Sequence, residues 1–291
     1  MRINIIILAL SLAATASFSQ NNNDTWAKVE NVLNRKLNVS NNTAKVTYPR
    51  TDLNVKIDGQ KVEPGLALTS WVAFMDMGGS SMMMGDLVLL ESEIPAVERK
   101  LVSNNISITG IHNHIMGETP VIKYIHYSAT GNPETLASGI KDVLSATSTP
   151  LTESKEDPLP TNTADWSAVE NVLGMKGQEK GDLLQYAIKR NDAIVENGMT
   201  IPPSMGMAIS INFQKTQSGA LSTGDFVLTS DEINPVIKEL TESGINVTAL
   251  HNHMLSETPR LFFLHFWGDD DPVKLASGLK NALDHVNYAK Q

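Results

Sequence analysis

Cysteine is absent from all 291 residues. That excludes disulfides and thiolate metal ligands, so the chain must be held by its core. The Met82-Met83-Met84 run offers thioethers that suit Cu(I), but the matched Leu221-Ser222-Thr223 carries no methionine, so the run reads as packing or strand surface. Basic clusters are absent as well: 23 Lys and Arg against 32 Asp and Glu give a formal charge of −9. Such a surface is unsuited to nucleic acid or to an anionic membrane. The apolar run from Ile5 to Leu12 is well short of the roughly 20 residues that a membrane-spanning helix needs, and no later stretch reaches that length. There is no Gly-rich phosphate loop, no Gly-x-Ser-x-Gly elbow and no His-Glu-x-x-His helix.

What is present begins with a basic start, Met1-Arg2, a short apolar segment and small residues through Ser19, the pattern of a secretory signal peptide over 1–19. Cleavage fits after Ala16 or after Ser19. The expected location is periplasmic or secreted.

Six of the seven histidines fall in two matched sets. His112-Asn113-His114 runs through Glu118-Thr119-Pro120 to His126, and His251-Asn252-His253 through Glu257-Thr258-Pro259 to His265, with a constant offset of 251 − 112 = 139. Gly85-Asp86 matches Gly224-Asp225 and Leu136-Ala137-Ser138-Gly139 matches Leu275-Ala276-Ser277-Gly278 at the same offset. Trp26 with Val29 to Leu33 matches Trp166 with Val169 to Leu173 at 140. The chain is therefore a tandem repeat, with units at 20–147 and 164–291. The Ser-, Thr- and Pro-rich connection lacks an apolar period and reads as a linker over 148–163.

Periodicity predicts strands at Lys45–Tyr48, Leu53–Ile57, Leu66–Phe74, Gly85–Leu90, Ile106–His114 and Pro120–Tyr127, and helices at Ile94–Ser103 and Pro133–Leu144. Asp58-Gly59 reads as a hairpin turn. The later elements run ββαββα, which implies an α+β unit: a four-stranded antiparallel sheet with helices on one face, ferredoxin-like, two of them packing as a pseudo-dimer within one chain.

Thr47-Tyr48-Pro49-Arg50-Thr51-Asp52-Leu53, Ser70-Trp71-Val72-Ala73-Phe74, Gly224 to Leu228, and Leu250-His251-Asn252-His253 through Pro259 to Trp267 resemble the LppY/LpqO family of bacterial exported proteins. The resemblance implies an envelope location and no particular chemistry.

On a strand, residues two apart share a face, so His112 with His114, and His251 with His253, project together. A loop with an odd number of residues between the strands brings His126 and His265 to the same face; a four-residue loop turns them away. In the first case each unit offers three imidazoles to a divalent metal, zinc above others. Glu118 and Glu257 are candidate bases or further ligands, although each lies roughly 13 Å along an extended strand from the second histidine of its set. His-x-His-x3-Glu is also similar to the first motif of metal-binding cupin barrels, but helices interrupt each unit where a cupin continues as strands. The reading is two sites for a divalent metal or small polar ligand, with metal-dependent hydrolysis or lyase chemistry if the protein is an enzyme. The alternative is a non-catalytic envelope protein whose histidines form a hydrogen-bonded interface between the units. Asp86 and Asp225 are candidates to orient a histidine or to shape a turn, and Arg50–Asp52 and Arg190–Asp192 read as surface ion pairs.

Overall fold

The computed structural model describes residues 24–152 and 164–290. The expected signal peptide and most of the expected linker lie outside them. In the first unit α1 (24–33) is followed by β1 (Asn38–Ser40), β2 (Thr43–Pro49), a small hairpin of β3 (Lys56–Ile57) and β4 (Gln60–Lys61), β5 (Thr69–Asp76), β6 (Ser81–Leu90), α2 (Ile94–Ser103), β7 (Ser107–His112), β8 (Ile122–Gly131) and α3 (Pro133–Leu144). The second unit repeats the order as α4 (Ser167–Leu173), β9 (Gln178–Lys180), β10 (Leu183–Ile188), β11 (Val195–Glu196), β12 (Met199–Thr200), β13 (Ile209–Lys215), β14 (Ala220–Leu228), α5 (Ile233–Glu242), β15 (Asn246–His251), β16 (Phe262–Asp270) and α6 (Pro272–Leu283). Before β13 it adds a short 3-10 turn, Pro203–Met205.

The architecture is mixed α+β in two copies, each built on an antiparallel sheet. The expected four-stranded ferredoxin-like sheet is corrected to a six-stranded one, ordered β1-β2-β5-β6-β8-β7 in the first unit and β15-β16-β14-β13-β10-β9 in the second. The extra strands are the segments nearest each N-terminus, β1 with β2 and β9 with β10, which pair onto the long central hairpin. The strand expected at Leu53–Ile57 is reduced to Lys56–Ile57, which turns at Asp58-Gly59 as expected. Both helix expectations match in extent. α3 starts where the Asn132 side chain accepts from Thr135 N and Pro133 supplies an N-terminal residue with no N–H to orphan.

β6 is buried along nearly its whole length, because both faces of the sheet are covered. Met83, Leu87 and Leu89 point to the helices and pack with Val29, Leu101 and Ile140. Met82 and Met84 point the other way and join the core cluster of the second unit, which also holds Met205 and Met207. Leu221 and Trp267 of the second sheet in turn pack against Val88, Ile122 and Tyr124 of the first. The Met82-Met83-Met84 run is therefore packing. Two sheets meet back to back with helices outside, and strand alternation assigns Asp86 to the face shared by Met82, Met84 and Val88. A polar residue on that face is enclosed between the units.

Candidate metal centre

The two histidine sets form one cluster between the units. His112 and His251 stack at the centre with ring centroids 3.8 Å apart. Around this pair the contacts exchange as the duplication requires: His114 lies 3.8 Å from His265, and His126 lies 3.8 Å from His253. Within each unit His112–His126 is 4.7 Å and His251–His265 is 4.6 Å. Six imidazoles are thus arranged about a pseudo-two-fold axis, and each unit completes the surroundings of the other.

Convergence comes from register. An odd number of residues, 252 to 262, separates the paired His251 and Phe263, so His265 shares a face with His251, although its direct partner is Ala249. The first unit pairs His126 with Gly110 and His112 with Tyr124 in the same way. Each edge strand ends at His112 or His251, so His114 and His253 sit on the following loop and not on the strand as expected. That loop is tied across the units, with Thr248 Oγ1 donating to His114 O (2.7 Å) and Asn252 Nδ2 donating to Thr109 O (2.8 Å).

Asp86 and Asp225 complete the cluster. Asp86 pairs directly with His126 across β6 and β8, and Asp225 with His265 across β14 and β16. Asp86 Oδ1 is 4.0 Å from His112 Nε2 and 3.8 Å from His126 Nδ1. Asp225 Oδ2 is 3.2 Å from His253 Nε2, and its Oδ1 is 3.7 Å from His265 Nδ1. Both carboxylates are buried.

The hydrogen bonds fix most of the tautomers. Nδ1 donates to Asn113 O in His112 (2.9 Å), to Gly85 O in His126 (3.4 Å), to Gly206 O in His253 (3.2 Å) and to Gly224 O in His265 (2.7 Å). Thr223 Oγ1 gives its proton to Phe266 O, so it accepts from His114 Nδ1 at 3.3 Å. Five neutral rings therefore present Nε2 as a lone pair. Nε2 of His112, His253 and His265 and Oδ1 of Asp86 and Asp225 are buried without a hydrogen-bond partner. His126 Nε2 faces His251 Nε2 at 3.2 Å. The interior is a concentration of acceptors, and His251 alone has an N–H free to share.

Burial dominates the protonation of these groups. It lowers His112, His114 and His253 to about 3 and drives His126, His251 and His265 down as well, with the neighbouring rings adding to the effect. Burial also pushes Asp86 and Asp225 well above the usual carboxylate range, and for Asp86 the nearby Asp225 adds to the rise. Two groups have ligand atoms within 4.8 Å of one another: His112, His126 and His251, and Asp225, His251 and His265. Both use His251.

Glu118 and Glu257 are placed elsewhere. Glu118 Oε1 accepts from Ile122 N and Glu257 Oε1 from Leu261 N, each at 2.9 Å, so each carboxylate closes the loop that precedes β8 or β16. The same loops are bridged to the small hairpins through Lys56–Thr119 and Val195–Thr258. Arg50 and Arg190 are buried, which corrects the surface reading: Arg50 bonds Val88 O, Asp52 and Glu93, and Arg190 bonds Val227 O, Asp192 and Glu232.

A cavity of about 370 Å³ opens onto the cluster. Its floor includes Asp86, His126, Asp225 and His265, and its walls include Lys45 and Trp71. The sequence pointed to the histidines through their repetition. It marked the two aspartates only as turn or orienting candidates, and their direct pairing with His126 and His265 depends on a strand order that periodicity does not supply.

Fold and site together define a two-unit α+β protein with a buried His/Asp centre at its pseudo-symmetry axis. Residues 27–146 and 167–285 match the family described as Domain of Unknown Function (DUF1259), and the chain belongs to it. This match corrects the resemblance to the LppY/LpqO family. No curated protein matches the chain. Two solved structures align: the trimeric bacterial microcompartment shell protein PduB, at 12% identity over 86% of this chain and 92% of that one with a TM-score of 0.23, and EtuB from Clostridium kluyveri, at 10% over 85% and 90% with a TM-score of 0.20. At these scores the likeness carries no structural argument.

Proposed function

We propose that this protein binds one divalent transition-metal ion per chain, between its two units, in a centre of imidazole nitrogens with an aspartate. The observation that carries the reading is the set of buried atoms without a hydrogen-bond partner: Nε2 of His112, His253 and His265 and Oδ1 of Asp86 and Asp225 lie together between the units. Leaving such groups bare costs several kcal/mol, at about 1–3 kcal/mol for each neutral group and more for each carboxylate. A cation satisfies part of the set directly: His112 in one candidate group, and Asp225 with His265 in the other. The Nδ1 bonds to backbone carbonyls are the arrangement that metal-bound imidazoles use to hold Nε2 toward the ion. Mixed nitrogen and carboxylate donors suit zinc, iron(II), nickel or copper better than calcium or magnesium. Because both candidate ligand groups draw on His251, they are alternatives for a single ion. In this reading the protein is exported, on the strength of its leader-like first residues, and its cysteine-free composition supplies no thiolate donor.

The test is elemental analysis of tag-free protein, with calorimetric titration of the chelated form by Zn²⁺, Fe²⁺, Mn²⁺ and Ni²⁺. About one ion per chain, reduced at least tenfold in affinity by His126→Gln/His251→Gln, is the expected result. Absence of bound metal in every case, together with a lower melting temperature for the variant, would make the histidines a hydrogen-bonded interface and overturn the proposal.

A further inference from the structure

The histidines and aspartates are duplicated faithfully, but the walls of the cavity above them are not. Lys45 lies on β2 opposite Ala73, and the corresponding residue of the second unit, opposite Asn212, is Gln185. Trp71 lies opposite Asp86, and its counterpart opposite Asp225 is Ser210. The second unit therefore has no ammonium and no indole at these positions. Gln185 turns away to donate to Gly65 O at 2.8 Å. One wall of the cavity carries a cation and the other does not, so a bound molecule has only one favourable orientation.

Lys45 lies over an aromatic ring. Its Nζ lies 4.3 Å from the centroid of the Trp71 ring, and it makes no ion pair within 4.0 Å among the described residues. The indole is held in turn by Gly206: a Cβ at that position would come within 2.8 Å of the Trp71 ring. The conformation at Gly206, φ +82°, is one that glycine adopts readily. Its carbonyl is the acceptor that orients His253. A single glycine thus seats both the tryptophan behind Lys45 and one histidine of the centre. Asp86 acts on Lys45 from the same cavity, and with that charge neutralised by a cation, a half-enclosed lysine backed by an aromatic face is available to an anion. At about 370 Å³ the cavity exceeds what an inorganic ion needs and is within the range of sites for small organic molecules.

We infer that this cavity binds a small organic carboxylate, with its charge at Lys45 Nζ and its body extending toward the metal centre. The inference rests on the metal reading, since without a cation the acceptor-rich floor repels an anion. The balance of charge is then complementary: the ion neutralises the aspartates, and Lys45 is left to fix the orientation of the acid.

The test uses full-length zinc-loaded protein and isothermal titration with benzoate and pyruvate, with neutral benzamide as the control. Lys45→Gln and Trp71→Ser place the second unit's residues in the first, and zinc content is measured on every sample. The expected result is binding of at least one carboxylate and none of benzamide. Lys45→Gln should weaken the carboxylate about tenfold or more and Trp71→Ser by less, both at unchanged zinc content. Zinc at full stoichiometry with no carboxylate binding, or with binding indifferent to Lys45→Gln, overturns this inference and leaves the metal reading standing. Protein that takes up no zinc overturns both.

Discussion

Asp225 stands directly across the β14–β16 ladder from His265, with its Oδ1 3.7 Å from His265 Nδ1, while its other oxygen reaches His253 Nε2 at 3.2 Å. A carboxylate between two rings that have little hydrogen to offer it is a liability to the fold and an asset to a cation. The two roles separate in Asp225→Asn. The amide is neutral and offers His253 Nε2 a donor, as the carboxyl does when burial keeps its proton on in the metal-free protein, so the chelated variant is expected to be about as stable as wild type. Metal affinity is expected to fall about 10–100-fold. Thermal melts with and without chelator read both quantities, and a variant that melts lower without metal and binds it as well as wild type would show Asp225 to be structural.

The duplication made this site legible before the fold was known. Matched sets at one offset located His112, His114, His126, His251, His253 and His265; strand pairing puts His112 with His126 and His251 with His265 on shared faces, while His114 and His253 reach the cluster from the following loops. What the sequence could not show is that the two faces meet. Val72 and Phe74 pack against the helices while Ala73 and Met75 enter the opposite unit's core, and both classes are apolar, so the pattern alone does not reveal which face seals the pair. For that reason two sites were expected where one shared cluster exists. Glu118 and Glu257 lie close to the histidines along the chain, yet each closes its own loop by accepting from Ile122 N or Leu261 N.

Acid should unfold the metal-free protein early. The folded-state values of His112, His114 and His253 are lowered from 6.5 to about 3, so the unfolded chain binds protons first. Stability is complete above pH 6.5 and is lost as pH falls from there toward 3, at about 1.4 kcal/mol per pH unit for one such histidine. Asp86 and Asp225 act in the opposite sense: their raised values favour the folded state where they are protonated, and that gain fades as pH rises from the ordinary carboxylate range through their folded values. Melts of chelated protein between pH 7.5 and pH 5 should show a falling transition, shallower in His112→Gln. An unchanged or rising transition would contradict the buried, neutral state of these rings.

His251 and His114 should differ sharply although both belong to the repeated pattern. His251 is shared by both ligand groups, whereas His114 is in neither and is held by Thr223 Oγ1. His251→Ala is expected to abolish metal retention through gel filtration. His114→Gln is expected to keep the ion with no more than about a tenfold loss of affinity, the scale of a supporting residue. Equal loss in both variants would mean that the centre uses a different set of rings.

The glutamate in each Glu-Thr-Pro loop offers a test between loop closure and chemistry. Glu257 Oε1 accepts from Leu261 N at 2.9 Å, and Oε2 receives Arg260 Nη1 at 3.4 Å, so the side chain is engaged on both oxygens just before β16 carries His265 into the cluster. Glutamine keeps an acceptor for Leu261 N; alanine does not and leaves that buried N–H unpaired. Glu257→Ala is therefore expected to lose about 1.5–3 kcal/mol in urea titration, with Glu257→Gln losing less than half as much. Both should retain the metal at saturating concentration, because the carboxylate is in neither ligand group. A Gln variant that folds like wild type yet fails to hold the ion would move Glu257 from the loop into the centre.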